Sequence, residues 1–186
     1  MDKVKVKLKK MYGDAPTPFY HHEGDSGMDV YAYIKSNEFE RHNGNAISLL
    51  SRGLFDGDDP YRIAHTDKSV ILAPGQTVLV KTGLSVAIPN GYEFQVRPTS
   101  GNSLKKNLTV NNTPGTVDAP YRGEIGVILH NNSMYDHIVI NHGDKIAQLV
   151  LCPVLQCVWE EVESLDDTTR GDGGYGSTEN VVSTKS

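Results

Sequence analysis

Thr77-Val78-Leu79-Val80-Lys81-Thr82-Gly83-Leu84-Ser85-Val86-Ala87-Ile88-Pro89-Asn90-Gly91-Tyr92-Glu93-Phe94-Gln95-Val96 decides the fold. Three short runs rich in β-branched and aromatic residues, Thr77–Val80, Leu84–Ile88 and Tyr92–Val96, are divided by a glycine and by a Pro-Asn-Gly turn. That is the pattern of strands joined by tight connections. Upstream, Val70-Ile71-Leu72 leads into Pro74-Gly75; downstream, Glu124–Leu129, His137–Ile140 and Lys145–Val154 repeat the pattern. Strand-like runs separated by Gly, Pro and Asn roughly every ten residues predict an all-β barrel or sandwich. One helix start stands out: Ser100-Gly101-Asn102-Ser103 ahead of Leu104-Lys105-Lys106, a short turn with a hydroxyl near its N-terminus. At the other end, Met1 to Leu8 alternates Lys with Val4, Val6 and Leu8. This predicts a half-buried strand with a lysine-rich outer face rather than a signal or transit peptide.

A chain of 186 residues is long enough for one domain with a real core. Its 38% hydrophobic and 22% charged residues suit a globular fold. A net charge of −5 offers no general attraction to a nucleic acid polymer or an anionic membrane, so any phosphate binding must be local. No apolar run approaches the ~20 residues of a membrane span, and a cytoplasmic location is expected, the host cytoplasm if the chain is virus-encoded. Cys152 and Cys157 are five residues apart in an apolar, strand-like stretch. In a strand their Cα atoms would be roughly 16 Å apart, too far to bridge, which predicts reduced core thiols. Seven histidines show no ligand spacing.

Ser36 to Lys68 breaks the strand rhythm. The segment is polar and carries an acidic cluster, Asp56, Asp58 and Asp59, without the alternating ligands and distal Glu of a calcium loop. It reads as an insert between two strands, with Leu49, Leu50, Leu54 and Phe55 as apolar residues that could meet the barrel, a neighbouring subunit or a protein partner.

Arg170-Gly171-Asp172-Gly173-Gly174-Tyr175-Gly176-Ser177-Thr178 carries a different signal. Four glycines in six positions uncover backbone N–H groups beside an arginine and two hydroxyls. Those are the parts of a phosphate cradle. The loop lacks the Lys of a P-loop and the following helix of a dinucleotide fingerprint. Further motifs precede it: Ser26-Gly27-Met28-Asp29-Val30-Tyr31-Ala32, Pro98-Thr99-Ser100-Gly101, Asn111-Asn112-Thr113-Pro114-Gly115-Thr116-Val117-Asp118-Ala119-Pro120-Tyr121-Arg122-Gly123, and Gly143-Asp144-Lys145-Ile146-Ala147-Gln148-Leu149. An Asn such as Asn112 offers both a donor and an acceptor to a nucleobase edge.

These five segments resemble, in type, order and approximate spacing, the five motifs of the trimeric dUTPases. The resemblance runs from Ser26 to Thr178 apart from the insert. It implies a jelly-roll-like, distorted β-barrel over residues 1–168, with the insert at about 36–68, and a C-terminal arm over 169–186. It further implies a homotrimer with shared active sites, and hydrolysis of dUTP to dUMP and pyrophosphate, which limits uracil in DNA. Asp118 then matches the general base that activates water toward the α-phosphorus. Tyr121 matches the aromatic that packs on the sugar and excludes a 2′-hydroxyl. Asn112 falls where uracil is recognised, on a hairpin too tight for a thymine methyl. Ser100 and Gln148 match phosphate contacts, and Gly101, Gly115 and Val117 join them among substrate-binding positions. Arg170, Gly176, Ser177 and Thr178 would bind phosphate, with Tyr175 stacking over the base. Mg2+ is the implied cofactor, and Asp29 resembles the carboxylate that orders its water without binding it directly.

Three positions depart from the pattern. Thr99 stands where the family usually has Arg, with Arg97 as a nearby cation on the same strand face; Met28 replaces a common Tyr and Glu179 a common Gly. The related dCTP deaminases share the barrel, but they would need a glutamate base between Asn111 and Tyr121, and this chain has none there.

Overall fold

The computed structural model describes residues 3–35, 64–66 and 68–174. Their order is β1 (Lys7–Lys10), β2 (Met28–Tyr31), β3 (Ala64–Thr66), β4 (Ser69–Leu72), β5 (Thr77–Ala87), β6 (Tyr92–Arg97), α1 (Ser100–Lys106), β7 (Leu108–Val110), β8 (Gly115–Val117), β9 (Glu124–Asn131), β10 (Ile138–Asn141) and β11 (Lys145–Pro153). The strands pair antiparallel in three sheets, ordered β1-β5-β9-β7, β10-β4-β3 and β2-β11-β6-β8. The all-β expectation with one short helix is met. The chain divides into two compact units, Met1–Leu155 and Gln156–Ser186. Among the described residues no helix is long and apolar enough to cross a membrane.

Alternation builds the core of the first unit. Along β9, Ile125, Val127 and Leu129 face inward while Glu124, Gly126 and Ile128 are half-buried. Val78, Val80 and Val86 of β5 meet them in the same cluster, joined by Val30, Phe94, Val96, Ile146 and Leu149 from the β2-β11-β6-β8 sheet. Buried Asn131 ends β9 as a polar anchor. Its Nδ2 donates to the carbonyls of Leu72 (3.1 Å) and Asp136 (2.8 Å), and its Oδ1 accepts from Ser133 N–H at 2.9 Å.

Several local expectations are corrected. Thr77–Val80 and Leu84–Ile88 are not two strands; they fuse into the 11-residue β5. Gly83, at φ +71, marks a bulge rather than a turn. Across that bulge β5 advances from Lys81 to Ser85 while β9 moves from Gly126 to Glu124. Two extra residues are an even number, so the inward face of β5 keeps its parity. At the N-terminus, exposure alternates over Lys3–Val6, but the ladder to β5 begins only at Lys7, and all four residues of β1 are exposed. Ala64–Thr66, at the end of the insert, is a strand that lengthens the sheet beside β4. The rest of the insert, with Leu49, Leu50, Leu54, Phe55 and the acidic cluster, lies outside the described residues. The two cysteines are free, yet neither is a core thiol: Cys152 is half-buried and Cys157 exposed. β11 ends at Pro153, opposite Tyr92 where its partner β6 begins, and Val154 N–H still donates to the Gly91 carbonyl at 2.9 Å.

Candidate active site

The central motif folds as a hairpin that joins two sheets. β7 pairs with β9, whereas β8 pairs with β6 through Val96↔Gly115, Gln95↔Thr116 and Phe94↔Val117. The turn between them is tied down by Asn111 N–H to the Ile128 carbonyl (2.8 Å) and Thr113 N–H to the Val110 carbonyl (3.2 Å), and contains a cis Thr113–Pro114 bond. A cavity of about 490 Å³ opens beside this hairpin. Asn112, Gly115, Val117, Asp118 and Tyr121 all line it. Five expected site residues, spread over ten positions, therefore share one recess. A Cβ on Gly115 would stand 3.1 Å from Asn112 Nδ2, so glycine lets that amide lie close over the strand.

Asp118 and Tyr121 are held by their own turn, in which Tyr121 N–H donates to the Asp118 carbonyl at 3.1 Å. Both side chains are exposed to the cavity. The Arg122 guanidinium donates to the carbonyls of Ala119 (2.6 Å) and Tyr121 (2.8 Å) and stiffens the loop from outside. Two wall residues had no sequence signal: Lys81 and Glu124, an ion pair at 3.5 Å. They meet only because β5 and β9 are neighbours.

A second group sits on the other sheet. Asp29, Gln148 and Arg97 form one cross-strand row over β2, β11 and β6. Gln148 Nε2 donates to the Pro98 carbonyl at 2.9 Å, linking β11 to the segment that enters α1. Ser100 and Gly101 are exposed at the first turn of that helix. Thr99 is its N-cap, accepting from Asn102 N–H at 3.4 Å, and Asn102 Nδ2 donates to the Lys145 carbonyl at 2.9 Å. Arg97 does not turn toward this group. Its guanidinium is engaged by Gln95 Oε1 (3.0 Å from Nε) and Cys152 Sγ (3.7 Å from Nη2).

Asp29 is buried, and its Oδ2 receives Lys145 Nζ at 2.9 Å and His21 Nε2 at 2.7 Å. Neither partner was apparent in the sequence: Lys145 arrives through the pairing of β11 with β2, and His21 from the loop ahead of β2. Burial, and then the Asp29 charge, push the neighbouring Tyr31 hydroxyl above its ordinary pKa. Among the described residues no group of three His, Cys, Asp or Glu side chains could hold a metal ion. None of Asp29, Ser100, Gly101 or Gln148 lines the hairpin cavity. Within one chain the two groups are thus separate.

In the second unit, Arg170 is exposed and its Nε donates to the Gly173 carbonyl at 3.0 Å. Tyr175, Gly176, Ser177 and Thr178 lie outside the described residues.

The dUTPase family model matches residues 64–179. A deoxyuridine 5'-triphosphate nucleotidohydrolase of Desulfotalea psychrophila is 54% identical over 161 residues, 87% of this chain and 85% of that protein. Its counterpart from Ehrlichia canis is 41% identical over 177 residues, 94% of both chains. Among solved structures, the Staphylococcus bacteriophage 80alpha dUTPase with dUPNHPP shares the fold at a TM-score of 0.70 and 22% identity, covering 95% of this chain and 99% of the phage chain. The barrel, its hairpin cavity and these matches over most of the chain lead to one conclusion: the chain belongs to the dUTPase family.

Proposed function

We propose that this protein hydrolyses dUTP to dUMP and pyrophosphate, with Asp118 as general base. The observation that carries the proposal is the hairpin cavity, which places a carboxylate, an amide and an aromatic ring on one recess. Asn112 pairs with the polar edge of uracil, and Tyr121 lies against the deoxyribose. Asp118 accepts a proton from a water molecule as the water oxygen bonds to the α-phosphorus. The bond from the α-phosphorus to the bridging oxygen breaks, and its electron pair leaves with pyrophosphate. Most of the rate gain then comes from positioning and charge stabilisation.

Ser100, Gly101 and Gln148 contact phosphate in this reading, and Gly115 and Val117 shape the nucleoside pocket. Because the phosphate group does not line the hairpin cavity of its own chain, a complete site is assembled from more than one subunit, as a homotrimer allows. The exposed apolar run Leu155, Val158, Trp159 and Leu165 supports an assembly that covers it. Residues 1–168 form the barrel and 169–186 the arm, in which Arg170, Gly176, Ser177 and Thr178 bind phosphate and Tyr175 stacks on the base. The reaction is placed in the cytoplasm. A protein partner for the insert finds no support among the described residues.

Mg2+, the cation that the family uses, suits a donor set made mainly of phosphate oxygens and water. The single buried carboxylate of Asp29, already carrying Lys145, fits a role through water rather than direct ligation. When bound, the cation neutralises and chelates the phosphate charge. The test is pyrophosphate release from dUTP, dCTP, dTTP and UTP in parallel, with and without Mg2+. Release from dUTP alone, dependent on Mg2+, is expected. Equal release from UTP would remove Tyr121 from its role, and silence with all four would overturn the activity.

A further inference from the structure

The Tyr121 ring folds back over Gly123. A Cβ built on Gly123 would overlap the Tyr121 hydroxyl and stand 2.5 Å from Cζ and 2.9 Å from Cε2. Real Cβ atoms essentially never come so near, so the ring occupies space that any side chain at 123 would fill. Tyr121 is 45% exposed, and the core does little to hold it. What fixes its far end is the hydroxyl, which donates to the Glu124 carbonyl at 3.0 Å.

The seat itself is anchored. Three donors from the β5 bulge reach the segment that follows Tyr121. Ser85 Oγ donates to the Arg122 carbonyl at 2.7 Å, Gly83 N–H to Glu124 Oε1 at 2.8 Å, and Thr82 Oγ1 to the Ile125 carbonyl at 2.8 Å. The bulge thus binds the floor on which the ring lies, while the ring keeps its cavity face open. The device recurs on the other sheet: a Cβ on Gly27 would overlap Gln148 Oε1 and stand 3.1 Å from Cδ.

We propose that Gly123 is a positioning residue for sugar discrimination: it is the seat that holds the Tyr121 ring at the height where a 2′-hydroxyl cannot fit. The inference rests on the reading of Tyr121 as the residue that packs against the sugar. With alanine at 123 the backbone stays clamped by the bulge, and the movable object is the ring. The ring is displaced, the space for a 2′-hydroxyl opens, and the surface under the deoxyribose is lost.

The experiment measures kcat/KM for dUTP and UTP with the wild-type protein, Gly123→Ala, Tyr121→Ala and the double variant. Gly123→Ala is expected to lower the dUTP/UTP ratio by about tenfold or more, a size typical of losing one close packing contact. In the Tyr121→Ala background the same change should do nothing further, because the ring through which it acts is gone. A wild-type ratio in Gly123→Ala, beside a lowered ratio in Tyr121→Ala, would overturn the seat while leaving the reading of Tyr121 intact. A further drop in the double variant would also overturn it. An unchanged ratio in Tyr121→Ala would sink the sugar-packing reading and the seat with it. Should Gly123→Ala fail to fold, Tyr121→Phe keeps the ring but loses its bond to the Glu124 carbonyl. A lowered ratio there supports the seat, and an unchanged ratio overturns it.

Discussion

The hairpin of the barrel and the segment after Leu155 carry two parts of one motif set, yet they are held in opposite ways. In the hairpin, β7 and β8 belong to different sheets, and backbone bonds from Asn111 and Tyr121 close each turn. In the second unit, bonds are local, such as Gly171 N–H to Thr168 Oγ1 at 3.1 Å and Arg170 Nε to the Gly173 carbonyl. Large apolar side chains there face solvent, with Val158 95% and Trp159 90% exposed. The difference teaches what each kind of contact can preset. A recess built on paired strands is preformed, so a ligand that enters it meets little ordering cost. Where bonds join near neighbours in sequence, as around Arg170, the fold presets only the local turn.

The largest effect expected is on the barrel side. Asp118→Asn should lower kcat by about a thousandfold while nucleotide binding persists, because a general base is lost and the recess is kept. Undiminished turnover would end the assignment. Next, removing residues 169–186 should cost on the order of a hundredfold in kcat/KM for dUTP, with the melting temperature unchanged. A large drop in melting temperature would show that the arm supports the barrel, and the contrast would break.

Stability sharpens the same contrast. Asn131→Ala should destabilise the barrel by about 3 kcal/mol, since three buried hydrogen bonds of about 1 kcal/mol each are removed. Thermal unfolding reads this directly, and a shift near zero would mean that water replaces the amide.

The smallest effect lies at the edge of the barrel, where Tyr33 stacks on Tyr12 with centroids 4.6 Å apart. Its hydroxyl donates to Asp14 at 2.7 Å, and that bond, with burial second, pushes its pKa from 10.0 up to about 12. Neutral Tyr33 is favoured by folding, so its contribution is complete below pH 10 and fades as pH rises through about 12. An ultraviolet phenolate titration should show one late tyrosine, absent in Tyr33→Phe. If all tyrosines ionise together, the Tyr33–Asp14 bond is not present in solution.

Much of this molecule was legible from residue order. β4, β6, β9, β10 and β11 fall where apolar runs bounded by turn residues put them, because alternation is a local property of each strand. The helix over Ser100–Lys106 also announced itself through its polar start, although its cap is Thr99. Gly83 misled, because a glycine between two apolar runs looks the same for a turn and for a bulge. Which one forms depends on whether β9 lies alongside. Cys157 misled in a similar way: an apolar neighbourhood suggests a strand, but the partner β6 begins at Tyr92, opposite Pro153, and offers nothing further to pair with.

The site shows the same division. Residue type and order singled out Asn112, Asp118 and Tyr121 as candidates, and the three share one cavity because they stand on one short loop. The Lys81–Glu124 wall and the Lys145–Asp29 contact were invisible, because each joins residues that only strand pairing brings together, and the packing of Tyr121 on Gly123 depends on how their turn folds. By itself the sequence determined an all-β fold and the chemical groups at its disposal, through alternation and motif order. Only the tertiary structure decided which groups share a cavity, because register, bulge and sheet order set distances that no spacing along the chain contains.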